Sequence, residues 1–285
     1  GSANFSKNKI KIKFFNKIGL EKYLKINFPD LKQSLNIKFD PESNLKNLSG
    51  ELKLNIFETV LLLNFKGKDN FKISKSYIRN KFLNSKIDGI ISFKDEFHFD
   101  LNMGVNQINL RKLLLYYPIF KKNGISKKIN GKFNILIKST DSFFGKIRNA
   151  KMLLKMENGD IKIQNASALF PENTKVQSNI SILNTNKGPI IEFSINFLTN
   201  NSSKFFRKFG LYDFEKEETI LFLDGSIDVN KKKMNLKKIV KDSRERVSSK
   251  ETSLIENSFN QLILNEGIEG MFDFIKFKKF LQENY

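Results

Sequence analysis

The sequence of 285 residues contains no cysteine, no tryptophan and a single histidine, His98. Without cysteine the chain has no disulfide framework, no thiolate metal site and no cysteine nucleophile. One histidine excludes a multi-histidine metal centre, and a Ser-His-Asp triad would have to use His98. We find no phosphate-binding glycine loop, paired metal-ligand motif or nucleophile elbow. We therefore expect a protein that is not an enzyme and that uses no metal and no cofactor.

Long apolar runs are also lacking. The most apolar segments, Val60–Phe65 and Leu113–Phe120, are far shorter than the roughly 18 to 20 residues of a membrane-spanning helix. The sequence begins Gly1-Ser2 without an initiator methionine, which we interpret as an expression scar. We expect a membrane anchor upstream of Gly1.

Most of the chain alternates polar and apolar residues, a pattern typical of β-strands with one buried face. Lys and Asn fill the polar positions. The pattern predicts a mainly β fold with short α-helices, in which a curved, mostly antiparallel repeat sheet forms an open groove or half-barrel. Alternation alone fits a closed sandwich equally well. Clear examples are Lys9–Phe14, Phe97–Met103 and Ile191–Phe197.

The formal net charge is +20, from 50 Lys plus Arg against 30 Asp plus Glu. Such an excess is typical of proteins that bind polyanions. Only six of the basic residues are Arg, however, and recognition of bases and phosphates favours the planar guanidinium. We interpret most lysines as the solvent face of the sheet, where they also protect sheet edges, and expect no specific nucleic acid.

A seven-residue signature recurs along the chain: apolar, polar, Gly, any, apolar, any, apolar. Its copies start at residues 48, 87, 129, 176, 223 and 268, which are 39, 42, 47, 47 and 45 residues apart. The fourth copy, which starts at Val176, has Ser178 at the glycine position, directly before Asn179. We predict that each glycine sits where a strand begins or bulges and needs positive φ or close backbone approach. The glycines are Gly50, Gly89, Gly131, Gly225 and Gly270.

The repeat divides the chain into residues 1–47 with N-terminal strands, 48–124 and 125–213 as two repeat units, and 214–285 with a hairpin, a charged connection and helices. Four short amphipathic helices are predicted, at residues 109–117, 202–209, 253–267 and 274–281. The third begins at Ser253, which has the capping-box spacing to Glu256, and stops at Gly267. In the third, Ile255, Phe259 and Leu262 share one face. Lys237–Lys250 is predicted to be a mobile connection.

Glu96, His98 and Asp100 share one face of a predicted strand, because their spacing is two. The three could form an acid–base or metal cluster. Polar residues opposite Phe97, Phe99 and Leu101 are, however, what any half-buried strand requires. We favour this second interpretation.

The chain shows, in two passes, the order of an alanine-rich strand, a Phe-Pro turn, an alternating strand and a helix with a Leu-Leu or Phe-Phe pair. In this order the chain from about Leu48 to Leu211 resembles the periplasmic repeats of the AsmA family, relatives of TamB in Gram-negative bacteria. It departs from the family in its Lys and Asn content and in the missing glycine beside Asn179. The segments that carry the resemblance are Phe71–Asn80, Ile87–Phe93 and Ile108–Leu114, then Ile161–Pro171, Val176–Ile182 and Phe205–Gly210.

The resemblance implies a periplasmic protein tethered to the inner membrane, with a long curved sheet and a role in outer-membrane biogenesis and phospholipid passage between the membranes. It brings no catalytic residues. Phospholipid acyl chains are then the expected partners of the apolar face, and short basic helices are expected to rest on an anionic membrane surface through Arg111, Arg207 and Lys278. The residues predicted to line the apolar face are Phe71, Ile73, Ile91, Phe93, Phe133, Ile135, Ile180, Ile182, Phe193, Ile195, Phe272 and Phe274.

Three other interpretations stay open at this point. A scaffold or adaptor for outer-membrane protein assembly would bind extended segments of other proteins at its sheet edges. Its partners would then be outer-membrane assembly proteins. A basic nucleic-acid or anionic-surface binder would act through charge alone. A β-propeller would match the repeat spacing, although the absence of Trp and the interrupting helices argue against it.

Overall fold

The structure is a computed structural model. It describes residues 2–5, 8–16, 22–44, 46–94, 96–109, 127–142, 145–207, 210, 212, 218–242, 245–267, 275–276, 278–279 and 282. These residues form two compact units, the first made of Gly1–Ile108 and Asn130–Leu136, the second of the described residues in Asn109–Ile129 and Ile137–Tyr285.

The first unit contains nine complete strands and the first half of a tenth. A single turn of 3-10 helix, Pro29–Leu31, joins β3 to β4. The strands are β1 Ser2–Phe5, β2 Asn8–Phe15, β3 Lys22–Phe28, β4 Gln33–Phe39, β5 Leu48–Ile56, β6 Thr59–Gly67, β7 Asn70–Arg79, β8 Leu83–Ser92, β9 His98–Ile108 and β10 Asn130–Ser142.

The second unit contains the second half of β10, seven further strands and two α-helices with described bounds, besides the helical residues 275–276, 278–279 and 282. The strands are β11 Gly145–Glu157, β12 Asp160–Phe170, β13 Thr174–Thr185, β14 Gly188–Thr199, β15 Thr219–Asp228, β16 Lys233–Lys241 and β17 Glu245–Arg246; the helices are α1 Ser202–Arg207 and α2 Ser249–Glu266.

Within each unit the strands pair antiparallel with their neighbours along the chain. This holds from β1 to β9 in the first unit and from β11 to β17 in the second. Short turns suffice because antiparallel neighbours need no crossover. The predicted mainly β, antiparallel fold with short helices is confirmed, while its curvature, its groove and the four-segment division stay predictions.

Single-residue bulges keep the apolar side chains on one face where the sequence breaks its own alternation. Ile73 and Ile78 are five residues apart and would face opposite sides of a regular strand. The register of β7 shifts between Ile73 and Ser76, and Lys75 takes the left-handed conformation with φ 49°. The Ser76 hydroxyl accepts a hydrogen bond from the Asn64 backbone N–H at 2.8 Å. The bulge thus restores the apolar face after one extra residue.

A second bulge lies beside the repeat copy that has no glycine. Asn165 in β12 has φ 52°, and the register shifts between Ile163 and Ala166. The Asn179 side-chain oxygen accepts a hydrogen bond from the Asn165 backbone N–H at 2.8 Å. Asn179 therefore satisfies a donor that the bulge takes out of the ladder.

The glycines of the repeat lie where a neighbouring backbone or ring leaves no room for a side chain. A Cβ at Gly89, which has φ 138°, would lie 2.1 Å from the Asp100 carbonyl oxygen. At Gly131 it would lie 2.2 Å from the Phe99 carbonyl oxygen and 2.7 Å from the Phe99 ring. Gly50 and Gly225 show the same close approach. The predicted requirement is confirmed at these four positions, and Gly270 lies outside the described residues.

The helix predictions are confirmed in part. The described Ser202–Arg207 is helical, and α2 ends before Gly267, whose N–H bonds to the Ile263 carbonyl. The predicted start of α2 at Ser253 is wrong. The N-cap is Ser248, whose hydroxyl accepts from the Glu251 N–H at 3.2 Å, because Val247 packs against the core and the chain turns into the helix directly after it. Of the predicted helix at 109–117, residues 110–117 lie outside the described residues. Of the predicted helix at 274–281, residues 275, 276, 278 and 279 are described, and all four are helical.

The predicted mobile connection at Lys237–Lys250 is also wrong for most of its length. Lys237–Lys241 is the second half of β16, Glu245–Arg246 is β17, and Ser249 begins α2. The register between β15 and β16 shifts between Asp224 and Gly225, which pair with Lys238 and Leu236. This leaves Lys237 as an extra residue that hides the alternation of Met234, Leu236 and Ile239.

We expect Gly89→Ala to destabilise the fold by about 3 kcal/mol, because the new Cβ meets a backbone carbonyl and the backbone has positive φ. Gly104→Ala in β9 is the matched control, since a Cβ there meets nothing within 4 Å. It should leave stability unchanged or raise it by up to about 1 kcal/mol. Urea unfolding measures both, and equal losses in the two variants would contradict the close-approach explanation.

Candidate functional site

One face of the first unit is apolar at almost every register position. Leu24 of β3 lies opposite Ile37 of β4, which lies opposite Leu52 of β5, which lies opposite Leu63 of β6. A parallel row one step along the strands completes the pattern. The apolar face of the first unit is Ile12, Phe14, Leu24, Ile26, Leu35, Ile37, Phe39, Leu52, Leu54, Leu61, Leu63, Phe65, Phe71, Ile73, Ile91, Phe93, Phe99, Leu101, Phe133 and Ile135.

This face is buried at one end and accessible at the other. Ile73, Phe99 and Leu101 in β7 and β9 are 2%, 4% and 6% exposed. From β3 to β6 the apolar side chains are only half-buried, and in β2 Phe14 is 66% exposed. The half-buried stretch from β2 to β6 therefore leaves apolar surface open to a ligand.

Six phenylalanines of the apolar face and Phe97, which directly precedes β9, form a continuous row of ring contacts. Each ring centroid lies between 4.6 and 6.2 Å from the next. Gly50 pairs with both Phe39 and Phe65, and these two rings meet at 6.2 Å although a strand lies between them. The missing side chain of the repeat glycine thus lets rings from alternate strands touch. The row runs Phe39, Phe65, Phe71, Phe93, Phe97, Phe99, Phe133.

The opposite, polar face of the first unit is held by side-chain hydrogen bonds and ion pairs. Asn134 donates to Asn102, which donates to Asp88. Asp100 pairs with Lys132 at 2.9 Å, and Glu96 accepts a hydrogen bond from the Asn130 side chain.

The Glu96, His98 and Asp100 group lies on this polar face. His98 is exposed, and both carboxylates already bond to residues of the neighbouring chain segment. Within the described residues, no group of three or more His, Asp or Glu side chains is placed to hold a metal ion. The arrangement is that of a hydrogen-bonded strand surface.

The second unit also has an apolar face, and α2 covers one end of it. Ile180 lies opposite Phe193, and Ile182 opposite Ile191. Ile191 and Phe193 pack against a buried cluster in which Ile263 of α2 is 0% exposed. The other members of this cluster are Ile227, Val229, Met234, Leu236 and Ile239.

Helix α2 also occupies the free hydrogen-bonding edge of β16. The Asn260 side chain accepts from the Met234 N–H at 2.6 Å and donates to the Met234 carbonyl at 3.2 Å. The Glu256 carboxylate accepts from the Leu236 N–H at 2.8 Å. Side chains here replace the next strand, so this edge is closed to strand addition at these residues.

The structure brings the predicted apolar residues together as two groups, one in each unit. Phe71, Ile73, Ile91, Phe93, Phe133 and Ile135 share the apolar face of the first unit, and Ile180, Ile182, Phe193 and Ile195 share that of the second. Phe272 and Phe274 lie outside the described residues.

Two of the three predicted membrane-surface residues are described, and both lie in the second unit. Arg207 is exposed in the last turn of α1. Lys278 lies beside Gly210, where an added Cβ would be 3.4 Å from its side chain. Arg111 lies outside the described residues.

The prediction missed the apolar residues of β2–β6, which form the most accessible part of the face. Ile12, Phe14, Leu35 and Ile37 show the same alternation as the predicted residues. That signal was sufficient to find them. The cover provided by α2 had no comparable signal, because it depends on a tertiary contact.

Among the described residues, two carboxylates have a lowered pKa, and both are surface groups held by lysines. A hydrogen bond from the Lys162 ammonium lowers the pKa of Glu157. Hydrogen bonding from the Lys231 backbone N–H lowers the pKa of Asp228 at the end of β15. Both therefore stay ionised at neutral pH and serve turns rather than the apolar faces.

No protein-family model, no curated protein and no solved structure matches this chain. None of the helices in the described part of the chain combines the length and the apolarity that a membrane-spanning helix requires. The candidate site is thus defined by its geometry alone.

We expect Ile263→Ala to cost about 2 to 5 kcal/mol, because it opens a cavity where α2 meets β16. Leu264→Ala is the matched control, since Leu264 is the next residue and is 59% exposed, and should change stability by less than about 0.5 kcal/mol. Thermal unfolding of both variants measures this. A similar, small loss of stability in both variants would show that the packing of α2 does not stabilise the strands of the second unit.

Proposed function

We propose that this chain is a non-enzymatic, AsmA-like periplasmic protein of outer-membrane biogenesis, which shields phospholipid acyl chains along its apolar sheet face. The observation that carries the proposal is the apolar face of the first unit, which is half-buried from β3 to β6 and exposed at Phe14. A face of this kind has no favourable contact with water. Acyl chains are a ligand that it can bury without any directional bond.

The dimensions of the accessible stretch fit an acyl chain. The four steps from β2 to β6, at about 4.8 Å each, make the stretch roughly 19 Å wide. One leaflet of a bilayer holds its acyl chains within about half of a ~30 Å hydrocarbon core. Each methylene that leaves water contributes about 0.8 kcal/mol. A chain lying across these strands would therefore bind through the sum of many weak contacts.

The closed edge of β16 favours lipid shielding over a scaffold that captures strands. Strand capture uses unpaired backbone groups at a sheet edge. At Met234 and Leu236 those groups already bond to Asn260 and Glu256. The accessible surface of the first unit is instead a face, which offers side chains and no backbone donors.

We expect the purified chain to take up phospholipid from vesicles, detected by native mass spectrometry and by lipid extraction. The double variant Leu52→Gln/Leu63→Gln should lower the bound lipid roughly tenfold, because it places two amides at one register position of the apolar face.

The matched control is Glu51→Gln/Asn64→Gln, which changes the neighbouring register pair on the polar face. It should bind lipid like the unchanged chain. The proposal fails if the unchanged chain takes up no phospholipid, or if both double variants lose lipid to the same extent.

A further inference from the structure

The polar face of the first unit carries a row of lysines from β2 to β5. Lys13 of β2 lies directly opposite Lys25 of β3. Lys25 lies opposite Asn36 of β4, and Asn36 lies opposite Lys53 of β5. The three lysines are exposed, and Lys11, one step along β2, is exposed beside them. Sheet pairing thus gathers positive charge that the sequence spreads over residues 11–53.

This arrangement is unfavourable for the isolated sheet. Like charges directly opposite each other on a sheet face are destabilising. Within the described residues, no ion pair involves Lys13, Lys25 or Lys53. Glu51, an acidic residue of these strands, lies opposite Lys38. An external anion would remove the repulsion that the fold leaves in place.

An aromatic pair stands next to the lysine row on the same face. Phe15 and Tyr23 are opposite each other, one step along the strands from Lys13 and Lys25. Their rings stack with centroids 5.3 Å apart and 16° between planes, and Phe15 is 41% exposed. Aromatic rings with adjacent lysines are the combination that proteins place at the interface of a bilayer with water.

We propose that the polar face of β2–β5 docks on a bilayer surface that contains anionic phospholipids. Lys13, Lys25 and Lys53 contact the phosphates, and the Phe15–Tyr23 pair enters the headgroup region. The row contains lysine and no arginine, which suits a diffuse layer of headgroups better than the bidentate recognition of a polynucleotide. This inference does not rest on the proposed function, because it concerns the opposite face of the sheet and different side chains.

The charge part is tested by co-sedimentation with vesicles of phosphatidylcholine, alone or mixed with phosphatidylglycerol. The unchanged chain should bind the anionic vesicles and not the neutral ones. The triple variant K13Q/K25Q/K53Q should lose at least tenfold in affinity, since each lysine near an anionic surface is worth roughly fivefold. It should fold at least as stably as the unchanged chain, because it removes the Lys13–Lys25 repulsion.

The control variant is K175Q/K187Q/K233Q, which changes three exposed lysines of the second unit. Both triple variants lower the net charge of +20 by three. Equal losses in the two variants would overturn the proposal, because binding would then follow total charge. Binding to duplex DNA that is tighter than binding to anionic vesicles, and lost in K13Q/K25Q/K53Q, would replace it with a nucleic-acid surface.

The aromatic part is tested by fluorescence, because the chain has no tryptophan of its own. The emission of a Phe15→Trp variant should shift to the blue on anionic vesicles. The emission of a Leu254→Trp variant, which carries its indole on an exposed position of α2, should not shift. If the Phe15→Trp variant binds the vesicles and its emission stays unshifted, the insertion of this pair is overturned.

The same vesicle assay distinguishes the polar-face proposal from the proposed function. Leu52→Gln/Leu63→Gln should still dock on anionic vesicles while it takes up less lipid. Docking that this variant abolishes, and K13Q/K25Q/K53Q spares, would overturn the polar-face proposal.

Discussion

The structure depends on one constraint: every strand must present its apolar side chains to the same face as its neighbours. Antiparallel pairing transmits this constraint from strand to strand, because directly opposed residues share a face. A slip of one residue would turn a whole strand over. The bulges at Lys75 and Asn165 act where the apolar positions of the sequence are out of step. Both faces of the first unit, and the surfaces proposed on them, follow from this register.

The repeat glycines also help to form the shared apolar face, because they leave room on it for large side chains of neighbouring strands. At Gly50 and Gly131 the missing side chain admits rings from adjacent strands, so that the phenylalanine row continues across the sheet. The spacing of the repeat predicted that glycine was needed for close approach. It could not predict which rings would fill the space, since that depends on which residues the register places opposite each glycine. Asn179 shows the same limit, because its role is visible only once Asn165 is known to bulge.

Much of the fold follows from local pattern, and the failures have local causes. Alternation was enough to predict an antiparallel, mainly β chain and to group Phe71 with Ile91 and Ile180 with Phe193. It failed at Lys237–Lys241, where one extra residue hides the period. It placed the start of α2 five residues late because Ser248–Glu251 and Ser253–Glu256 have the same capping spacing. The observed N-cap, Ser248, directly follows Val247, which packs against the core, and this contact is not visible in the local pattern.

The lysines illustrate how pairing changes the meaning of composition. In the linear sequence they look like the ordinary polar half of alternating strands, and a solvent face requires nothing more. Pairing then places Lys13 directly opposite Lys25 and brings Lys53 into the same row, separated from Lys25 by Asn36 of β4. A purely solubilising surface gains from mixed charge, because opposite charges in register stabilise a sheet and like charges weaken it. The polar face between β7 and β10 follows that rule, with Asp100 paired to Lys132. The polar face between β2 and β5 does not follow it. Its unbalanced charge is on the opposite side of the same strands as the most accessible part of the apolar face.

A protein that lifts acyl chains from a bilayer must meet the charged headgroups first, so the two surfaces are physically compatible on one sheet.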